Sequence, residues 1–169
     1  MKPLLVLLLV VIFGSHFAVR VHADEAASTD DFRRYYSQFL AQLDEPRIWE
    51  NCSKSAVRYR VLQDLASSNR HSIRVEIVGT NPAIFVTDFQ PPDQLTRSER
   101  KVTIEEWSQF QRSIAASYVW KMKPELDVWG IDTGHIYVEY CVAGNYKIIK
   151  RRPHDQDVLD LLRHFEALT

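Results

Sequence analysis

Between residues 57 and 77 apolar and charged residues alternate in two runs: Val57, Tyr59 and Val61 against Arg58 and Arg60, then Ile73, Val75 and Ile77 against Arg74 and Glu76. A repeat of two is the side-chain period of a β-strand with one buried face. On that reading the basic face, Arg58 and Arg60, points to water. A third run, Ala83 to Phe89, follows Gly79-Thr80-Asn81-Pro82, a turn sequence, so the second and third runs form a hairpin. A second hairpin is expected over Ile136 to Val142 and Tyr146 to Arg152, joined at Ala143-Gly144-Asn145, where Gly and Asn tolerate positive φ.

Three other segments carry the helical period. Phe32, Tyr35, Tyr36, Phe39, Leu40 and Leu43 recur at three and four between Asp30 and Leu43. Thr103-Ile104-Glu105-Glu106 is a capping-box sequence, and the stripe Ile104, Trp107, Phe110, Ile114 and Tyr118 predicts a helix to about Met122. Asp155 can cap a last helix with Val158, Leu161, Leu162, Phe165 and Leu168 on one face. The polar stretch Gln90 to Lys101, with Pro91-Pro92, is expected to be a loop. Hairpins rather than crossovers imply an α+β fold: an antiparallel sheet of about five strands, two hairpins plus one strand, with three packed helices.

The first residues supply an address. Lys2, the apolar stretch Leu4 to Phe13 and the small residue Ala23 have the order of a secretory signal peptide over residues 1–23. An anchor needs about 20 apolar residues, whereas Gly14, Ser15, His16 and Arg20 interrupt this stretch. Cleavage would leave residues 24–169 as a single domain, with 24–29 a flexible leader, in the periplasm or secreted. Without Lys2 and Arg20 the chain has 19 basic against 22 acidic residues, a balance that does not call for nucleic acid or an anionic membrane as partner. No stable membrane anchor is expected after cleavage.

Export gives the two cysteines a meaning. Cys52 and Cys141 meet oxidising conditions, and a disulfide between them is the natural pairing. It closes a loop of about 90 residues, which the chain-entropy account values at about 4 kcal/mol. Asn51-Cys52-Ser53 fits the N-glycosylation triplet, which matters only in a eukaryotic secretory route.

Sites for chemistry are sparse. Asp132-Thr133-Gly134 has the form of an aspartic-protease turn, but that chemistry needs two aspartates sharing a proton and the triplet occurs once; a turn leading into the strand at Ile136 is the alternative. His71, His135, His154 and His164 are scattered, so no metal is expected. No nucleophile turn and no glycine-rich phosphate loop occurs, so no catalytic residue set and no cofactor is expected. Lys147, Lys150, Arg151 and Arg152, with His154, make a basic strand that could receive an acidic partner or an anionic glycan, or form a solvated face. Glu139 could pair with Arg151 or Lys150 across the hairpin.

Trp107, Trp120, Gly130, Ile131, Asp132, Glu139, Tyr146, Ile148, Ile149 and Arg151 follow a pattern of G-L-D-G, W-I-x-E and Y-x-V-V-x-R between helices. Over residues 102–168 the chain thus resembles a group of exported bacterial proteins of unknown function. The resemblance implies no activity, but it marks Asp132, Glu139 and Arg151, with Tyr146 beside them, as a candidate binding site or a buried network. The expected function is a non-enzymatic binding domain for an envelope or secreted protein, of inhibitor or immunity type. The alternatives are an envelope hydrolase with Asp132 and Glu139 as paired carboxylates, and an envelope assembly factor.

Overall fold

The computed structural model describes residues 21–65, 69–117, 121–122 and 134–169, with side chains from residue 32 onward. Asp132, with the Asp132-Thr133-Gly134 turn, Trp120, Gly130 and Ile131, falls wholly or partly outside the described residues. The elements are α1 (Val21–Gln42), a short 3₁₀ turn (Ile48–Asn51), β1 (Val57–Asp64), β2 (Arg70–Val78), β3 (Asn81–Gln90), β4 (Gln94–Lys101), α2 (Ile104–Ala116), β5 (His135–Val142), β6 (Asn145–Arg151) and α3 (Gln156–Glu166). Contacts group Tyr36–Thr169 into one compact unit and assign the chain up to Tyr35 to another; the sheet belongs to the first of these.

The fold is α+β, with six strands among the described residues, in the order β4-β3-β2-β1-β5-β6, every neighbouring pair antiparallel. The additional strand, β4, is the stretch expected to be a loop. It pairs with β3 from Ala83↔Lys101 to Gln90↔Gln94. It shows no apolar alternation because seven of its eight residues are exposed: at a sheet edge with both faces wet, a strand needs no apolar stripe.

Local sequence explains the other elements. At the end of α1, Asp44 takes a left-handed conformation (φ 48°); the Glu45 N–H donates to the Leu40 carbonyl (2.8 Å) and that of Asp44 to Ala41 (3.1 Å). These are the bonds of a Schellman ending, here with Asp where Gly is usual. The described part of α1 runs from Val21, so residues 24–29, expected to be a flexible leader, are helical. The Thr103/Glu106 capping box starts α2 as expected, but the helix stops at Ala116, short of Met122, where Ser117 turns to extended backbone (φ −68°, ψ 151°). The β5–β6 turn places its two positive φ values at Ala143 (53°) and Gly144 (82°), one residue earlier than the turn chemistry suggested.

α2 and α3 cover one face of the sheet. Tyr59, Val61, Ile73, Val75, Ile84, Val138 and Ile149 from the strands pack against Trp107, Phe110 and Ile114 of α2 and Val158, Leu161, Leu162 and Phe165 of α3. Phe110 meets Phe165 edge to face at 5.0 Å and Tyr59 at 5.5 Å, the geometry aromatic pairs prefer. The opposite face carries the even-numbered residues of β1, and it is not wet. Arg60 is fully buried there, beneath the last turns of α1, where Tyr36 and Phe39 lie 4.9 and 6.1 Å from the Tyr137 ring.

The disulfide forms as expected, Cys52 to Cys141 with Cα atoms 5.6 Å apart. It ties the segment after the 3₁₀ turn to β5. Among the described residues no helix is long and apolar enough to cross a membrane.

Candidate functional site

The polar face of the sheet holds a chain of alternating charges that starts at the surface and ends in the interior. β1 places Arg60 directly across from Glu139 of β5 and, on its other side, directly across from Arg74 of β2. The first pairing is favourable; the second sets like charges opposite one another, which is destabilising unless an anion lies between them. Glu45 is that anion. The Schellman ending of α1 aims it at the sheet, where its Oε2 accepts from Arg60 Nη1 (3.2 Å) and Arg74 Nε (2.9 Å) and its Oε1 from the Thr87 hydroxyl (2.9 Å).

The chain continues outward. Arg74 Nη1 donates to Glu76, and Glu76 Oε2 lies 2.9 Å from Arg58 Nε. The sequence of partners is Arg58, Glu76, Arg74, Glu45, Arg60, Glu139. Three cations meet three anions, and side-chain exposure falls from 29% at Arg58 through 10% at Arg74 to zero at Arg60 and Glu139. Pairing at the inner end is what allows these ions to be buried, since an isolated ion there would cost several kcal/mol.

Glu139 is the inner terminus, and both its oxygens are engaged. Oε2 accepts from Arg60 Nε (2.6 Å), from Arg60 Nη2 and from the Tyr36 hydroxyl (2.8 Å); Oε1 accepts from the Tyr146 hydroxyl (2.7 Å). Arg60 Nη1 also donates to the Pro46 carbonyl (2.8 Å). Burial raises the pKa of both Tyr36 and Tyr146 well above the ordinary phenol value, and the Glu139 charge adds to it. Burial acts to lower that of Arg60, but Glu139, Tyr36 and Glu45 outweigh it and the net shift is upward. Each of these shifts holds its group in the protonation state the network needs.

Of the residues marked by the sequence, Glu139 and Tyr146 are brought together here. Arg151 is not. It stands across from Ile136, on the face that carries α2 and α3, and its Nε lies 3.3 Å from Asp155 Oδ2 at the start of α3. The expected pairing of Glu139 with Arg151 or Lys150 is therefore replaced by Arg60, and Arg151, expected in a basic strand that either receives a partner or forms a solvated face, is buried. Asp132 lies outside the described residues.

Arg60, Arg74, Glu45, Glu76, Thr87 and Tyr36 are members that sequence reasoning missed. A signal was present: Arg58, Arg60, Arg74 and Glu76 share strand parity, so they share a face, and Glu139 has the matching parity in β5. Near its middle the chain borders a shallow cleft of about 290 Å³ lined by Asp44, Glu45, Arg74, Phe85, Arg97 and Glu99. Arg74 stacks there on the Phe85 ring at 4.1 Å. Among the described residues no group of three His, Cys, Asp or Glu could hold a metal ion. Set against known protein families and curated proteins, the chain matches neither a family model nor a curated protein.

Proposed function

We propose that the chain is an exported, non-enzymatic binding domain for an envelope or secreted protein, of inhibitor or immunity type, akin to the exported bacterial group that its motifs resemble. The observation that carries this reading is the state of Glu139. The carboxylate that the motif pattern singles out has zero exposure, and both its oxygens accept from protein donors. Catalytic carboxyl groups flank a substrate and exchange protons with it; Glu139 meets neither need, which weighs against the hydrolase reading. What the network and the disulfide supply instead is a stiff sheet, and stiffness favours a binding platform because little entropy is lost on association. The disulfide also suits export.

The test has two parts. Intact mass of the chain purified from its native host should show loss of residues 1–23, and cross-linking in that host should give a stoichiometric complex with one envelope or secreted protein. Retention of residues 1–23, or a purified chain that cleaves an envelope polymer and loses that activity on Glu139→Gln with the fold intact, would overturn the proposal.

A further inference from the structure

The two borders of the sheet are built differently. At β6, one of the seven residues is exposed, and Lys147 Nζ reaches to the Met122 carbonyl (2.6 Å). At the other, β4, which like β6 has one neighbour among the described residues, has seven of its eight residues exposed. Its pairing with β3 runs through eight consecutive positions without a bulge, and it contains no proline. It lacks those two common devices that stop an edge from accepting another strand.

The direction of its free backbone groups follows from one bond. Val102 N–H donates to the Pro82 carbonyl (2.9 Å), which makes Pro82 and Val102 a hydrogen-bonded pair. Such pairs alternate along an antiparallel ladder. Thr96, Ser98 and Arg100 therefore turn their N–H and C=O groups toward β3, and Leu95, Arg97, Glu99 and Lys101 turn theirs outward.

We propose that this edge pairs with the β4 edge of a second copy of the chain, antiparallel, about a two-fold axis at Ser98. Axes at Arg97 and at Ser98 each pair seven of the eight strand residues, more than any other, and charge selects between them. A two-fold axis through an antiparallel ladder passes at a residue facing its own copy. At Arg97 or Glu99 it would set like charges face to face. At Ser98 it sets Arg97 opposite Glu99 of the second copy, twice, with Thr96 opposite Arg100, Leu95 opposite Lys101, and no like-charge pair. The outward N–H and C=O groups of Leu95, Arg97, Glu99 and Lys101 then meet their counterparts in hydrogen-bonded pairs, and Ser98 faces Ser98 in a non-hydrogen-bonded one.

The side chains are already placed for this. Arg97 is anchored on its face by Nη1 to Asp44 Oδ2 (2.8 Å) and Nη2 to the Leu43 carbonyl (2.7 Å), yet 44% of its side chain is exposed. Glu99 is exposed and joins none of the ion pairs among the described residues. The positive charges at Arg97, Arg100 and Lys101 deter pairing in other registers, as edge cations do, while Glu99 offers one register in which they are accommodated. The contact is smaller than a standard interface, so association is weak.

Sedimentation equilibrium of the wild-type chain, taken up to about 1 mM to reach weak affinities, should show mass rising from one copy to two. Glu99→Pro removes an outward N–H and no bond to β3, and should leave a folded monomer. Arg97→Glu and Glu99→Arg should each be monomeric alone, because each sets like charges opposite, and an equimolar mixture should dimerise. Ser98→Cys should oxidise to a covalent dimer, since Cα atoms in a non-hydrogen-bonded pair lie about 4.5 Å apart; Thr96→Cys, whose copies would be separated by about 14 Å along the strands, should not. A wild-type chain that stays monomeric to 1 mM, a dimer that survives Glu99→Pro, or equal cross-linking by Ser98→Cys and Thr96→Cys would overturn the proposal.

Discussion

The two faces of this sheet are filled by opposite means. On the α2/α3 face, burial is mostly apolar and aromatic, with Arg151 beside Asp155 a charged exception, and many side chains can substitute for one another provided volume is kept. On the α1 face, the same strands bury Arg60, Arg74, Glu45 and Glu139, and each member has only a few acceptable partners. An apolar face yields more stability per residue, since replacing a buried ion network by well-packed apolar groups is often neutral or stabilising. A charged face yields directionality. Here it determines which strand lies beside which: Arg60 must face Glu139, and the end of α1 must deliver Glu45 between two arginines.

The two faces differ most sharply at Glu45. Glu45→Ala leaves Arg60 and Arg74 side by side with one anion fewer, and should cost about 3–5 kcal/mol in urea unfolding. The added replacement Arg74→Met, which removes the excess charge, should recover part of that loss, a rescue with no counterpart on the apolar face, where Phe110→Ala should cost a similar about 3–5 kcal/mol regardless of charge. Next in size is the disulfide. Cys52→Ala with Cys141→Ala should lower stability by about 2–5 kcal/mol and, if the network holds strand order independently, leave the spectrum of the folded state unchanged.

Tyr146→Phe sharpens the contrast by pH. It removes a donor to the buried Glu139 charge, a bond of the kind worth about 1.5–3 kcal/mol. Tyr36 and Tyr146 both hold their protons more tightly folded than unfolded, so their stabilisation is complete below the unfolded phenol pKa of about 10 and is lost as pH rises beyond it. Stability should thus fall above about pH 10, and Tyr146→Phe should make that fall shallower by up to about 1.4 kcal/mol per pH unit. Smallest is Ala143→Asn, at a left-handed position remote from both faces; relief at φ 53° should raise stability by about 0.4–1 kcal/mol.

These faces also account for what could be read in the chain. The period of three and four at Phe39, Leu40 and Leu43, the capping box at Thr103 and the turn at Gly144 are local signals, and the helices and hairpins they predict are present. The Cys52–Cys141 bond followed from compartment alone. β4 left no trace, because a strand with two wet faces has no apolar period, and its pairing partner supplies the order. Arg60 departs from the expected wet face for a different reason. Alternation reports that a residue shares a face with its neighbours at two; it does not report whether that face meets water or a second layer. Only the partners do, and Glu45 and Glu139 lie 15 and 79 residues away.

Arg60 and Glu139 act as one unit inside a structural network. A double-mutant cycle with Arg60→Met, Glu139→Met and the double variant, each measured by urea unfolding of the oxidised chain, tests it directly. Each single change should cost about 3–5 kcal/mol, and the double variant should cost less than their sum by about 2–3 kcal/mol. Costs that add to within about 0.5 kcal/mol would contradict the claim.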